Sequence, residues 1–169
     1  MVKYYKTQEM RELSISEWIW RCCDECDEEG DWKVIAHLFK YQQIQLVSFL
    51  TALRAFFKST PKKNCIVLYG PSDTGKSYFC NSLIEFLKGK VVSIMNKASL
   101  FWLQPLLHTK IGFMDDVTYQ GWLYLDTNMR GALDGTPVSI DAKHKAPTQI
   151  KLPPMLITTN VELEKEEAT

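Results

Sequence analysis

The eight residues 70–77 have the clearest chemical capacity in this sequence. They match the spacing G-x-x-x-x-G-K-[ST], a loop whose backbone N–H groups surround the phosphates of a nucleoside triphosphate. Lys76 is expected to reach the β- and γ-phosphates, and the Ser77 hydroxyl is expected to bind Mg²⁺. The alternative is a glycine-rich turn without a ligand, which would not require a lysine and a serine directly after the second glycine. The predicted nucleotide-binding residues are Gly70, Pro71, Ser72, Asp73, Thr74, Gly75, Lys76 and Ser77.

Two acids and an amide follow apolar runs farther along the chain. Asp115 and Asp116 come after residues 111–114, and Asn160 comes after Met155–Thr159. A P-loop ATPase needs an acid at the tip of a neighbouring strand, so Asp115 is predicted to hold Mg²⁺, directly or through water. Asp116 is predicted to orient or deprotonate the attacking water, and Asn160 to hydrogen-bond the γ-phosphate or that water. With the lysine of the loop, these are the predicted catalytic residues, although adjacent acids and a lone asparagine are also common in turns.

The surrounding sequence alternates strand and helix patterns, which favours a parallel sheet. The phosphate loop lies between an apolar run, Cys65–Tyr69, and a helical pattern at residues 78–88, in the order that a phosphate site requires. The further predicted elements are strands at residues 91–95, 111–114 and Met155–Thr159 and a helix at residues 122–133.

A β-hairpin is predicted from residues 138–140 and 148–152, which alternate apolar and polar side chains. Its tip is predicted to hold Lys143, His144 and Lys145. Pro147 restricts the second arm to an edge or unpaired position.

Residues 1–60 are predicted to form a mostly helical segment ahead of a P-loop domain at residues 61–169. Apolar residues recur at helical spacing in residues 14–21 and 44–57, and Asp31 is expected to cap a helix that starts at Trp32. The predicted fold class is α/β, with a P-loop core built on a parallel sheet, a β-hairpin, and a small helical segment in front.

Composition is that of an ordinary globular protein, with 46% hydrophobic and 24% charged residues among 169, and no apolar run reaches the ~18 residues of a membrane span. Five cysteines lack a secreted spacing pattern, which favours a reducing compartment. Net charge is zero, but residues 1–31 hold nine acids and four bases, and the rest holds eleven acids and sixteen bases. The later part is therefore suited to a polyanion, although charge alone favours an ordinary solvated surface.

Several motifs together resemble the superfamily 3 helicases of small DNA viruses, and most closely the papillomavirus replication helicases. They are the loop at residues 70–77, the acids at 115–116, and the segments 30–32, 61–65, 101–106, 129–135, 141–145 and 153–160. The resemblance covers residues 14–160 and is highly specific. It implies an AAA+-type ATPase core that uses ATP and Mg²⁺, assembles as a homo-hexameric ring around single-stranded DNA, and works in the host cell nucleus.

The same resemblance implies which residues contact DNA. In that family the hairpin tip lies in the ring channel and grips the sugar-phosphate backbone; Lys143 and His144 match those tip positions, and Phe101 matches an aromatic that also faces the channel. A cation beside a histidine suits phosphate contact, and an exposed phenylalanine suits stacking or sugar packing. Taken from the residues alone, a solvated turn remains open for Lys143 and a core position for Phe101.

The resemblance also implies that ATP sites lie between subunits, where the neighbour supplies cations to the transition state. Lys62 and Arg130 match family positions with that role in trans. The family continues past the strand that ends at Asn160 and carries an arginine finger there, whereas this chain has no arginine after Arg130. We therefore expect the chain to be truncated relative to the family. Origin DNA and the viral transcription and replication activator are further implied partners.

Two functions are predicted from these observations. The leading one is the ATP-dependent DNA helicase domain of a viral replication initiator, in which ATP hydrolysis drives single-strand translocation and origin unwinding. The alternative is a monomeric fragment of that helicase that binds nucleotide and partner without hydrolysis. A small P-loop kinase would explain the phosphate loop but not the lysine-tipped hairpin.

Overall fold

Three helices between residues 15 and 57 precede the sheet, and side-chain caps set the start of two of them. The computed structural model describes residues 8–10, 12–27, 29–143 and 145–162. The helices are α1 (Ile15–Asp24), α2 (Trp32–Tyr41) and α3 (Leu46–Phe57). Ser14 caps α1 in a reciprocal box with Glu17, and Asp31 caps α2, as predicted, by accepting from the Lys33 N–H at 2.9 Å. None of the helices within these ranges is long and apolar enough to cross a membrane.

A four-stranded parallel sheet forms the centre of the fold. The elements after α3 are β1 (Cys65–Tyr69), α4 (Lys76–Phe86), β2 (Lys90–Val91), β3 (Gly112–Met114), α5 (Tyr119–Leu133), β4 (Val138–Ala142), β5 (Lys145–Ile150) and β6 (Met155–Thr159). The strand order is β1-β6-β3-β2, and every neighbouring pair is parallel. Parallel strands end at a common edge, so the residues that follow β1, β3 and β6 meet there. Ligands of open α/β sheets bind at this carboxyl edge.

Alternating side chains of the central strands supply a hydrophobic cluster on each face of the sheet. Phe113 and Leu156 pack with α1, α3 and α4 on one face. Met114 and Ile157 pack with α5 and the base of the hairpin on the other. Strand β6 is buried at all of its positions, as expected for a parallel strand covered on both sides.

The helical segment packs directly against the elements that carry the phosphate loop. Trp18 and Phe56 are buried in the same cluster as Leu87, and the Trp18 indole N–H donates to the Leu87 carbonyl at 2.8 Å. Gln42, just after α2, donates from Nε2 to the Thr74 carbonyl of the loop at 3.1 Å. A domain boundary at residue 60 stays a prediction.

Strands β4 and β5 form a separate antiparallel hairpin. Val138 pairs with Ile150 and Ala142 with Lys145, with an irregularity before Ala142. Only residues 143 and 144 lie between the strands, so Lys145, which was predicted at the tip, begins β5 instead. Pro147 lies within β5, whose only strand partner among the described residues is β4, in agreement with the edge position that proline requires.

Several predicted boundaries differ from the structure: α5 begins at Tyr119 and not at residue 122, β5 spans Lys145–Ile150 and not residues 148–152, and two further differences have local causes. The strand predicted at residues 91–95 ends at Val91, because Ser93 caps a short 3₁₀ helix (Ile94–Asn96) by accepting from the Met95 N–H at 3.3 Å. The helix predicted from residue 78 begins at Lys76, because Gly75 adopts a left-handed backbone and forms the N-terminal cap.

Candidate active site

The loop between β1 and α4 has the backbone geometry of an anion-binding nest. Asp73 (φ 61°) and Gly75 (φ 84°) both have left-handed backbones, which glycine adopts without a Cβ penalty. Thr74 Oγ1 donates to the Pro71 carbonyl at 3.0 Å and holds the loop closed. Among the described residues, none accepts a hydrogen bond from the backbone N–H groups of residues 75–77. These groups and the positive end of the α4 dipole are suited to an anion.

The Lys76 ammonium group lies among four oxygen atoms. It donates to the carbonyls of Gly70 (2.8 Å) and Pro71 (2.5 Å), to Thr74 Oγ1 (3.3 Å) and to Asn160 Oδ1 (2.9 Å). The first three acceptors belong to the loop, and the fourth follows β6. All four are neutral, and charged phosphate oxygens form stronger hydrogen bonds with an ammonium group.

The two predicted Mg²⁺ ligands are in direct contact. Ser77 Oγ donates to Asp115 Oδ1 at 2.6 Å. Ser77 lies in the first turn of α4 and Asp115 directly after β3, so the strand order of the sheet creates this contact. The hydroxyl of Thr158 donates to the same carboxylate oxygen at 2.6 Å.

Asn160 lies between the lysine of the loop and the second acid. Its Oδ1 accepts from Lys76 at 2.9 Å, and its Nδ2 donates to Asp116 Oδ1 at 3.0 Å. Asp116 has a left-handed backbone (φ 48°), and its N–H donates to Thr158 Oγ1 at 2.8 Å. The structure therefore brings all four predicted catalytic residues into one hydrogen-bonded network at the carboxyl edge of the sheet.

The two threonines at the end of β6 also belong to this network, although the sequence pattern did not predict them as site residues. Thr158 is 1% exposed and contacts both acids. Thr159 is 0% exposed; it donates to the Val117 carbonyl at 2.7 Å and accepts from the Trp122 indole N–H at 3.1 Å. The signal was available, because two adjacent hydroxyls at the end of a buried apolar strand must find hydrogen-bond partners inside the protein.

A cavity of about 520 Å³ covers this network, and its lining residues fit ATP with Mg²⁺. The hydroxyl and carboxylate oxygens of Ser77 and Asp115 are ligands that Mg²⁺ prefers. The ammonium group of Lys76 and the N–H groups of the nest suit phosphate. The lining consists of Ser72, Asp73, Thr74, Gly75, Lys76, Ser77, Tyr78, Asp115, Asp116, Thr158 and Asn160.

A buried thiol beside the site stays uncharged. Cys80 lies one turn after Lys76 on α4 and is 0% exposed. Burial, and then the nearby Asp115 carboxylate, raises the pKa of this thiol to about 12. The thiol therefore adds no negative charge at neutral pH beside the predicted phosphate loop.

The structure does not bring Lys62 and Arg130 to the phosphate loop of their own chain. The Lys62 N–H donates to the Asp134 carbonyl at 3.4 Å, and the Asp134 N–H donates to the Arg130 carbonyl at 3.0 Å. Both residues thus lie where α5 ends and β1 begins, and the length of β1, roughly 16 Å, separates them from the loop. The exposed Arg130 guanidinium is hydrogen-bonded to Asp126, which raises the arginine pKa.

The hairpin tip and the segment that contains Phe101 meet at Gln104. The Lys143 N–H donates to Gln104 Oε1 at 3.5 Å, and the Lys143 side chain is exposed. Phe101 is 39% exposed, so it does not occupy the buried core position that its residue type alone favours. His144, predicted with Lys143 to contact DNA, lies outside the described residues.

Sequence comparison matches the whole chain to one family. The model of the family described as Papillomavirus helicase matches residues 1–169. Replication protein E1 of human papillomavirus type 60 is 61% identical over 166 residues, which are 98% of this chain and 27% of that protein. Replication protein E1 of bovine papillomavirus type 3 is 53% identical over 166 residues, with the same coverage of 98% and 27%. The chain therefore spans little more than a quarter of the length of these relatives.

Comparison with solved structures confirms the predicted fold class. A crystal structure of the JCV helicase with a bound thiazolopyridine compound has a TM-score of 0.71 at 16% identity, covering 96% of this chain and 53% of that chain. The C terminal region of NrS-1 has a TM-score of 0.61 at 16% identity, covering 80% and 35%. At such low identity these structures support the fold alone. The family match over the full length and the identity of 61% show that this chain belongs to the papillomavirus helicase family.

Proposed function

We propose that this chain is the ATP-dependent DNA helicase domain of a viral replication initiator, in which ATP hydrolysis drives single-strand translocation and origin unwinding. The observation that carries the proposal is the 2.6 Å contact between Ser77 Oγ and Asp115 Oδ1. Such a contact joins the two groups that hold Mg²⁺ in P-loop ATPases. The family is one of helicases, and the relatives are replication proteins, which supports the choice of a helicase among P-loop proteins.

Each residue of the network has a role in this proposal. When bound, Mg²⁺ neutralises charge on the transferred phosphoryl group, and Ser77 and Asp115 hold it. Lys76 exchanges its carbonyl and amide partners for phosphate oxygens. Asn160 then orients the attacking water, and Asp116 accepts the proton that this water releases.

The test is the variant Lys76→Ala in the full-length protein. Loss of the ammonium group removes a charge that stabilises the transition state, so we expect ATP hydrolysis and DNA unwinding to fall by ~100-fold or more. Lys40→Ala removes an exposed lysine near the end of α2 and serves as the matched control, with activity unchanged. Unwinding by Lys76→Ala at the wild-type rate would refute the proposal.

We further propose that the hairpin tip binds single-stranded and origin DNA in the full-length protein. The exposed Lys143 beside His144, and the half-exposed Phe101 on the segment that touches the hairpin, support this surface. A homo-hexamer, recruitment by the viral activator protein, and action in the host cell nucleus belong to the same proposal, and the likeness to the viral replication proteins supports them.

The double variant Lys143→Ala/His144→Ala tests the DNA surface. Loss of a phosphate contact is expected to lower the affinity for DNA. The slope of the logarithm of the binding constant against the logarithm of the salt concentration should also become smaller in magnitude by about one. ATP affinity should be unchanged, since Lys143 is not among the residues that line the nucleotide cavity. Lys33→Ala, at an exposed lysine of α2, controls for general loss of positive charge. Unchanged DNA affinity at fixed salt would show that the tip is not the contact.

A further inference from the structure

The Thr158 hydroxyl is placed between the two acids of the candidate site. It donates to Asp115 Oδ1 at 2.6 Å and accepts from the Asp116 N–H at 2.8 Å. A hydroxyl has one proton and two lone pairs, and here the proton is committed to one acid and a lone pair to the backbone of the next. Since the side chain is 1% exposed, water does not compete for these bonds.

The hydrogen bond from Thr158 to Asp115 restrains the orientation of the Asp115 carboxylate. Its Oδ1 accepts from both Thr158 and Ser77, each at 2.6 Å. Among the described residues, none donates a hydrogen bond to Oδ2 of Asp115. Two hydroxyls on one oxygen thus leave the second oxygen for other ligands, and carboxylate oxygens are ligands that Mg²⁺ prefers.

The bond to Asp116 holds a backbone conformation that aspartate adopts infrequently. Asp116 has φ 48°, and such conformations persist where the surroundings restrain them. The hydrogen bond from the Asp116 N–H to Thr158 is such a restraint. With the backbone held in this way, the Asp116 side chain reaches Asn160 at 3.0 Å.

We propose that Thr158 is a positioning residue, whose hydroxyl sets the Asp115 carboxylate and the Asp116 backbone in the arrangement that ATP hydrolysis needs. This inference rests on the proposed ATPase function. The competing explanation is that Thr158 only fills space at the end of a buried strand, where a β-branched side chain packs well. A valine of the same shape would then serve equally.

Two matched pairs of variants at Thr158 in the full-length protein distinguish the effect of the hydroxyl group from the effect of the side-chain shape. Thr158→Val keeps the branched shape and removes the hydroxyl, whereas Thr158→Ser keeps the hydroxyl. We expect kcat to fall by roughly 10- to 100-fold in the valine variant, because displaced catalytic groups have effects of this size. The Kd for ATP should stay within about two-fold of wild type, since the phosphate loop is untouched. The serine variant should recover most of the rate. If valine prevents folding, Thr158→Ala and Thr158→Ser again differ by the hydroxyl alone.

A second readout does not depend on activity. Hydrogen–deuterium exchange of peptides that span residues 112–118 should speed up in the valine or alanine variant and stay at the wild-type rate in the serine variant, because the Asp116 N–H loses its acceptor. Equal kcat and equal exchange in the hydroxyl-free and hydroxyl-bearing variants would overturn the inference. A wild-type protein that does not hydrolyse ATP would instead reject the proposed function, and the exchange measurement would still decide the role of Thr158.

Discussion

The Lys76 side chain ties the phosphate loop to a neighbouring strand. Its ammonium group has three donors and satisfies them with loop oxygens and Asn160 Oδ1. Because the Asn160 amide also donates to Asp116, an amide of fixed orientation connects the cation to the acid. Replacement of Asn160 by aspartate would keep the size of the side chain but leave no donor for Asp116.

Cys80 gives a residue-scale prediction about pH. Its thiol pKa is raised to about 12, first by burial and then by Asp115, against an ordinary value of 9.0. The folded state therefore keeps this proton when the unfolded state has lost it. The stability that this contributes is complete below pH 9 and is lost as the pH rises toward 12. The free energy of unfolding should accordingly fall more steeply with pH above 9 in wild type than in Cys80→Ala.

Alkylation by iodoacetamide at pH 9 provides an independent check on Cys80. The exposed Cys23 should react within minutes in the folded protein and serves as the internal control. Cys80 should react only after unfolding. Equal labelling of both thiols in the folded protein would contradict its burial.

The phosphate loop, the two acids and Asn160 could be predicted from the sequence, whereas the hydrogen-bond partners of Thr158 could not. The spacing of Gly70, Gly75 and Lys76 is local, so it identifies the loop without any knowledge of the fold. The contact of Thr158 with Asp115 exists only because β6 lies beside β3. That placement is a property of the whole sheet, and no local pattern in the sequence encodes it.

At the scale of elements, β3 is the shortest strand that leads directly into a predicted catalytic residue. It has three residues, all of them buried, and Asp115 follows directly. Its first residue, Gly112, lies against Met155 of β6 and Leu106. The close approach of β3 to these neighbours depends on the absence of a side chain at this position.

Gly112→Ala is expected to destabilise the protein. An added Cβ would lie 2.4 Å from Met155 Sδ and 2.7 Å from Leu106 Cδ2, and both neighbours are buried. Overpacking of this kind costs about 1–3 kcal/mol, which urea denaturation would measure. Gly30→Ala is the control, since a Cβ there meets nothing within 4 Å and should change stability by less than ~0.5 kcal/mol. Equal denaturation midpoints for the two variants would show that the sheet relaxes around the methyl group.

Element types were predicted better than element ends. Strands β1 and β6 begin and end at the predicted residues, because each is a continuous apolar run flanked by polar or glycine residues. The 3₁₀ turn after β2 and the early start of α4 depend on Ser93 and Gly75 acting as caps. A cap depends on one side chain or one φ angle, so hydrophobic periodicity does not predict where these helices begin.

At the scale of the whole molecule, the sheet separates the predicted catalytic residues from the two residues predicted to act in trans. The phosphate loop and the acids lie at the carboxyl edge, and Lys62 and Arg130 lie near the amino end of β1. Lys62 and Arg130 lie away from the phosphate loop of their own chain, and the role in trans that the family resemblance implies for them stays a prediction.

Mixing of variants tests this separation in the full-length protein. Lys76→Ala and Arg130→Ala should each lack ATP hydrolysis alone. Random assembly of an equal mixture would pair an intact loop with an intact arginine at about a quarter of the contacts between copies, so hydrolysis should return to roughly that fraction of wild type. The control mixture is Arg130→Ala with Lys62→Ala. In that mixture every neighbouring copy lacks one of the two cations predicted to act in trans, so no recovery of ATP hydrolysis is expected. If the mixture of Lys76→Ala and Arg130→Ala is as inactive as each variant alone, Arg130 does not act across subunits.

The pairing of β1 with β6 also has a consequence for synthesis on the ribosome. Cys65 lies opposite Met155, roughly 90 residues later in the chain, and such distant pairing slows folding. The phosphate loop emerges early, but the strand that supplies Thr158 and Asn160 emerges last among the described elements. A nascent chain that ends before residue 155 would therefore display an apolar, unpaired β1 and have no complete site. Within this segment, the candidate site would be complete only after β6 has left the exit tunnel.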